Sequence, residues 1–181
     1  RFTFHNEPHR TWLTDGTSDW LWAAAEKAGT PLMILPVGNL PYVGTIARRH
    51  PGLKLILDHL SLSRHDKDDA AFRDLPDLLA LARHPNVAVK ASALPDYSSE
   101  SYPYRGLHRH LKPIFDAFGP RRVFWGADIS RAPCTYRQMV TMFTEEMDWL
   151  PAEDKEWIMG RALCEWIGWP ITAAAGHARA G

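Results

Sequence analysis

The chain has 181 residues, 45% of them hydrophobic and 23% charged, which is ordinary for a folded domain with a sizeable core. Lys plus Arg and Asp plus Glu number 21 each, so the formal net charge is zero and nothing draws the chain to nucleic acid or to an anionic membrane. No apolar run approaches the roughly 20 residues that span a bilayer, and no signal layout opens the chain, so a cytoplasmic protein with a small-molecule partner is expected, with homo-oligomerisation left open. Cys134 and Cys164 lie far apart in no ligand-like spacing and are expected to be reduced.

Short apolar runs alternate with longer amphipathic ones, the pattern of βα units and a parallel sheet. Arg1 to Phe4 is a candidate strand, and a chain that opens on it without Met reads as a piece of a longer one. Turn chemistry over Asp15 to Ser18 leads into a helix from Asp19 to Ala28, closed by Gly29. Pro31 to Leu35 is a buried strand, Leu40 to Arg49 a helix stopped before Pro51, and Leu53 to His59 the next strand. A helix over Asp68 to Arg83 and a strand over Asn86 to Ala91 follow, then a loop rich in Ser, Pro and Tyr. A helix to Phe118, a strand from Arg122 to Gly126, a helix from Tyr136 to Trp149 and a last helix from Pro151 to Ile167 complete the pattern. The Ala/Gly-rich stretch 171–181 has little to pack and is expected to be disordered.

Polar residues that interrupt apolar strands near their C-terminal ends are the candidates for chemistry. Asp58 and His59 end one strand, and in a regular strand they would face opposite sides. His59 is either a hydrogen-bonded structural residue or a general base or carbonyl-polarising donor. Lys90 shares a face with Ala88 and Ser92, and is either paired with a buried Asp or a cation for a substrate carboxylate. Asp128, beyond Val123 to Gly126, either starts a turn or serves as a metal ligand or water-activating base. Arg131 could clamp an anion, and Tyr97, Tyr102 and Tyr104 could line the mouth of a site or only cover it. His5 and His9 read as surface histidines, and His108 and His110 fall on different faces of a helix and form no metal pair. Trp20, Trp22, Trp157 and Trp166 read as packing residues on helices.

Asp58-His59-Leu60, Asn86 to Lys90 and the block Phe118-Gly119-Pro120-Arg121-Arg122-Val123-Phe124-Trp125-Gly126-Ala127-Asp128 together resemble the amidohydrolase-related family of the amidohydrolase 2 type. The resemblance covers the chain to about Pro170 and is nearest the lactone-hydrolysing branch. It implies a (β/α)8 TIM barrel, here incomplete, with strands four to eight in residues 1–170 as the C-terminal portion of one domain. It also implies that Asp128 activates water and is a candidate metal ligand, and that His59 polarises the carbonyl or shuttles a proton. Lys90, Arg131 and Tyr97 would bind the substrate, a lactone or similar C–O or C–N bond of a small carboxylated compound. One divalent zinc or manganese ion would complete the site in metal-dependent members, although Ile34-Leu35-Pro36 carries no histidine where a fifth-strand ligand would sit. The alternatives are a metal-dependent decarboxylase of the same fold and a non-catalytic ligand-binding barrel. Five strands cannot close an eight-stranded barrel, so the chain expressed alone is expected to aggregate or to be inactive.

Overall fold

The computed structural model describes residues 1–171, so the expectation of a disordered tail lies, except for Ile171, outside the described residues. Five strands form one parallel sheet in sequence order: β1 Phe2–Thr3, β2 Leu32–Leu35, β3 Leu55–Leu57, β4 Val87–Ser92 and β5 Val123–Gly126. Helices α1 (Asp19–Lys27), α2 (Leu40–Arg49), α3 (Asp68–Ala71), α4 (Leu75–Ala80), α5 (His108–Phe118), α6 (Tyr136–Thr141), α7 (Ala152–Glu156) and α8 (Ala162–Ile167) alternate with them. This is the α/β arrangement of a partial (β/α)8 barrel.

Both sheet faces are covered, as parallel strands require. Leu55, Leu57, Val87, Val89 and Val123 pack on Val43 and Ile46 of α2, Leu78 of α4 and Leu111 and Ile114 of α5. Ile56, Ala88 and Phe124 point the other way and meet Ala162 of α8, with Met33, Trp157 and Trp166 alongside. Because side chains alternate, Asp58, Lys90, Ser92 and Gly126 continue this second face toward the C-terminal ends of the strands. Asn86 ties the strand entrances together, its side-chain amide donating to the carbonyls of Ala47, His50 and Leu53 at 3.0–3.1 Å.

Several expected elements differ in detail. The helix expected over 68–83 is broken, because Pro76 at the start of α4 has no N–H to continue the ladder from α3. The helix expected to reach Trp149 ends earlier, widening into a π-helical turn over Met142–Glu146. A second π turn, Trp157–Arg161, interrupts the last helix around Gly160. Ser18 stands at the start of α1 without a side-chain capping bond, whereas Thr135 and Gln138 cap α6 reciprocally. Trp22 is buried as expected for a packing residue, but Trp20 is 71% exposed because it projects from the opposite side of α1. His110 stacks on Phe72 and His108 lies edge-on to Trp149, on separate faces. Both cysteines are free. Among the described residues no helix is long and apolar enough to cross a membrane.

Candidate active site

The site begins where β3 stops being a strand. Leu57 is its last residue, and His59, Leu60 and Ser61 follow with φ values of 50°, 53° and 59°. Three consecutive non-glycine residues in the left-handed region form a strained turn that persists only where the surroundings fix it. Its effect corrects the expectation that Asp58 and His59 face opposite ways. Asp58 continues the face of Ile56, and the left-handed turn swings His59 back, so that its Nε2 lies 3.4 Å from Asp58 Oδ2.

Asp58 is completely buried and carries two cations, Lys90 Nζ at 3.1 Å from Oδ1 and Arg1 Nη2 at 2.7 Å from Oδ2. The Arg1 contact is an ion pair without hydrogen-bond alignment, so Oδ2 keeps unused acceptor capacity. Lys90 therefore has the buried Asp partner that one of the two readings of its position required.

His59, 1% exposed, is held at both ring nitrogens. Nδ1 lies 2.8 Å from the hydroxyl of Ser92, which is itself fully buried. Nε2 faces the carboxylates of Asp58 and Asp128, each at 3.4 Å. The two carboxylates only accept and favour a proton on Nε2, with the Ser92 hydroxyl donating to Nδ1, whereas Arg1 Nη2, also 3.4 Å from Nε2, only donates and favours the opposite tautomer. Burial pushes the His59 pKa below the usual histidine value; Asp58 and Asp128 oppose this, and Lys90 and Arg1 add to it. The ring is thus neutral near neutral pH.

Asp128 stands just beyond β5 in a left-handed conformation, φ 51°, and its side chain remains 25% exposed. Gly126 makes room for this corner. A Cβ there would meet Lys90 Cε at 2.7 Å and Ser92 Cβ at 3.1 Å. Arg131 donates to Asp96 at 2.6 Å, turns its other nitrogen toward Asp128 at 3.6 Å, and lies over the Tyr97 ring, 5.9 Å from its centre. Beside this cluster is a cavity of about 260 Å³, lined among others by Arg1, His5, Arg64, His65, Tyr97 and Arg131.

The structure thus brings His59, Lys90, Asp128, Arg131 and Tyr97 to one end of the sheet. Tyr102, in contrast, bonds Thr141, away from the cavity. His9 is exposed beside Trp12, but His5 is not a plain surface residue: it is half-buried in the cavity wall with its Nδ1 sequestered. Reading residues alone also passed over Ser92 and Arg1. Ser92 was signalled by its position two residues beyond Lys90 on the same strand face, whereas nothing local marks His5 or Arg1.

A divalent metal, which the family resemblance implies, requires three or four protein donors. His59 Nε2 and Asp128 Oδ2 supply two, and each already faces a guanidinium, that of Arg1 at 3.4 Å and that of Arg131 at 3.6 Å. No group of three or more His, Cys, Asp or Glu among the described residues could hold an ion. Among the described residues, these donors do not by themselves complete a metal site.

Five parallel strands in sequence order with alternating helices, and ionisable groups at their C-terminal ends, match part of a (β/α)8 barrel. The amidohydrolase family model matches residues 2–170, and the chain belongs to that family. Two curated relatives are L-fucono-1,5-lactonases from Burkholderia. That of Burkholderia ambifaria is 32% identical over 98 residues, 50% of this chain and 31% of the relative. That of Burkholderia multivorans is 36% identical over 102 residues, 50% of this chain and 33% of the relative. The matched region thus spans about a third of these relatives' length. A crystal structure of an amidohydrolase from Burkholderia multivorans with bound zinc superposes with a TM-score of 0.78 at 22% identity, covering 92% of this chain and 62% of the other.

Proposed function

We propose that these residues form the catalytic end of a hydrolase that opens the lactone ring of a small carboxylated compound. The observation that carries the proposal is the pairing of a buried, neutral His59 with a partly exposed Asp128, Nε2 to Oδ2 at 3.4 Å. Asp128 is open enough to take a proton from an attacking water. With its proton on Nε2, His59 would donate a hydrogen bond to the lactone carbonyl as negative charge develops on its oxygen, and Asp128 would return the proton taken from water to the ring oxygen that leaves. Such preorganised donors are commonly the largest contribution to rate in acyl transfer. Arg131 and Lys90 are tied to Asp96 and Asp58, and would hold substrate anions through the charge they present beside the pair. The lactone class draws support from the two L-fucono-1,5-lactonase relatives.

The test uses the full-length protein and a set of 1,5-lactones, with the acid released followed by pH-stat. The proposal expects turnover, and a loss on the order of 10²-fold or more in kcat for Asp128→Asn, the range associated with removing a general base. Absence of lactone opening, or an Asn variant as fast as the parent, would reject it.

A further inference from the structure

Behind the turn that carries His59 lies a second cavity, of about 290 Å³, which the proposed chemistry does not use. It is enclosed by the loop from β2 into α2, with Val37 and Leu40, by Leu60 to Ser63 after β3, and by Phe72, Leu75 and Leu78 around α4. Val37, Leu62 and Ser63 also border the cavity beside His59 and Asp128, and so form the partition between the two. The strained turn thus turns His59 to one side and gives Leu60 and Ser61 to the other.

The lining defines what would fill it. Leu40, Leu60, Leu62, Phe72, Leu75 and Leu78 give the cavity a largely apolar wall. Ser61 is part of that wall and only 5% exposed, and its hydroxyl is buried with no hydrogen-bond partner among the described residues. A buried hydroxyl left unpaired is costly, and native structures seldom keep one. The charged lining residues are engaged or solvated: Arg73 pairs with Asp66, and Asp74 is exposed. Since the guanidinium of Arg73 is the one basic group of the lining, an anion finds no free partner there. An uncharged group that bonds a hydroxyl, carried on an apolar body, suits both the wall and Ser61. An apolar cavity of about 150 Å³ already accommodates benzene, so this one has room for a single substituted ring.

We infer that this cavity is a second ligand site, which takes a small neutral alcohol with a compact apolar ring and pairs its hydroxyl with that of Ser61. A serine hydroxyl donates and accepts, and an alcohol matches it in either sense. The site is separate from the His59–Asp128 pair and does not depend on the reaction that pair performs. Its ligand bears on the turn instead. Left-handed residues such as Leu60 and Ser61 persist only where their surroundings hold them, and a hydrogen bond to Ser61 adds to that hold.

The experiment is a ligand-detected NMR titration of the full-length protein with benzyl alcohol and with toluene, which lacks the hydroxyl. Both are expected to bind the parent saturably. Ser61→Ala should weaken benzyl alcohol binding by about tenfold, the effect of one hydrogen bond, and leave toluene bound at least as tightly. Comparing parent and variant for each probe cancels the different cost of taking the two molecules out of water. Leu75→Trp adds bulk to the cavity from a half-buried position, leaves Ser61 in place, and should abolish the binding of both probes. Circular dichroism of the two variants separates a lost site from a lost fold. No saturable binding of benzyl alcohol to the parent, a Ser61→Ala effect that is absent or equal for the two probes, or benzyl alcohol binding that survives Leu75→Trp would overturn the inference. Lactone turnover has no part in the readout, so the result stands apart from the hydrolase reading.

Discussion

Replacing Ser92 by alanine isolates the contact that orients His59. The substitution removes one oxygen at a fully buried position and leaves His59 Nδ1, formerly 2.8 Å from the hydroxyl, without a donor. The hydrogen bond itself is worth about 0.5–1.5 kcal/mol net, and an unpaired buried ring nitrogen raises the loss to about 1–3 kcal/mol. The surroundings offer little relief, since Ser92 packs against Gly126 closely enough that even a Cβ there would come within 3.1 Å of its own Cβ. The functional effect is separable from the stability effect. Without the Ser92 proton on Nδ1, the ring can carry its own proton there and present an acceptor, rather than a donor, to the reacting carbonyl. In the full-length protein, urea unfolding should show the stability loss, and lactone kinetics should show a fall in kcat with KM little changed. A variant that keeps both its stability and its kcat would refute the orienting role.

Two further outcomes follow from packing and charge. Gly126→Ala forces a methyl group toward Lys90 Cε and Ser92 Cβ, and should destabilise the protein by about 1–3 kcal/mol while displacing the Lys90 ammonium from Asp58; thermal unfolding and a crystal structure of the variant check both effects. Stability should also fall on acidification. His59 has its pKa lowered by folding, as do His5, His84, His108 and His110. The unfolded chain therefore takes up protons first, near the free histidine value of about 6.5. Stability is fully present above that pH and is lost as the pH drops from there through the folded values. His59 alone contributes a slope of up to about 1.4 kcal/mol per pH unit in that window. Urea midpoints of the full-length protein at pH 7.5 and 5.5 measure this, and a midpoint that rises at pH 5.5 would contradict it.

The sheet and most helices are legible from periodicity because local and tertiary signals agree there. Leu40–Arg49 forms a helix over the residues expected, with Pro41 at its start and Pro51 beyond its end, and the apolar cores of all five strands fall where expected. The π turns at Met142–Glu146 and Trp157–Arg161 are not legible, since one wide turn barely alters an amphipathic pattern. Pro76 did mark the break before α4, but the apolar spacing continues across it. At the site, Lys90 and Asp128 stand out as charges interrupting apolar runs. The turn that reunites His59 with Asp58 is different in kind. Alternation assumes a regular strand, and the left-handed backbone at His59 is anchored by Ser92 and Asp128, which are distant in sequence. His5 is hidden for the same reason, because the cavity wall it belongs to is shared with Arg64, Tyr97 and Arg131, far along the chain.

The most direct test of the central claim is a double-mutant cycle on kcat/KM for lactone opening by the full-length protein, using Asp128→Asn, His59→Gln and the pair. Groups that act together on one water and one carbonyl lose most of their effect when either is removed. The double variant should therefore be about as slow as the worse single variant. Losses that multiply would mean that the two residues act independently, and a fast double variant would mean that the chemistry lies elsewhere.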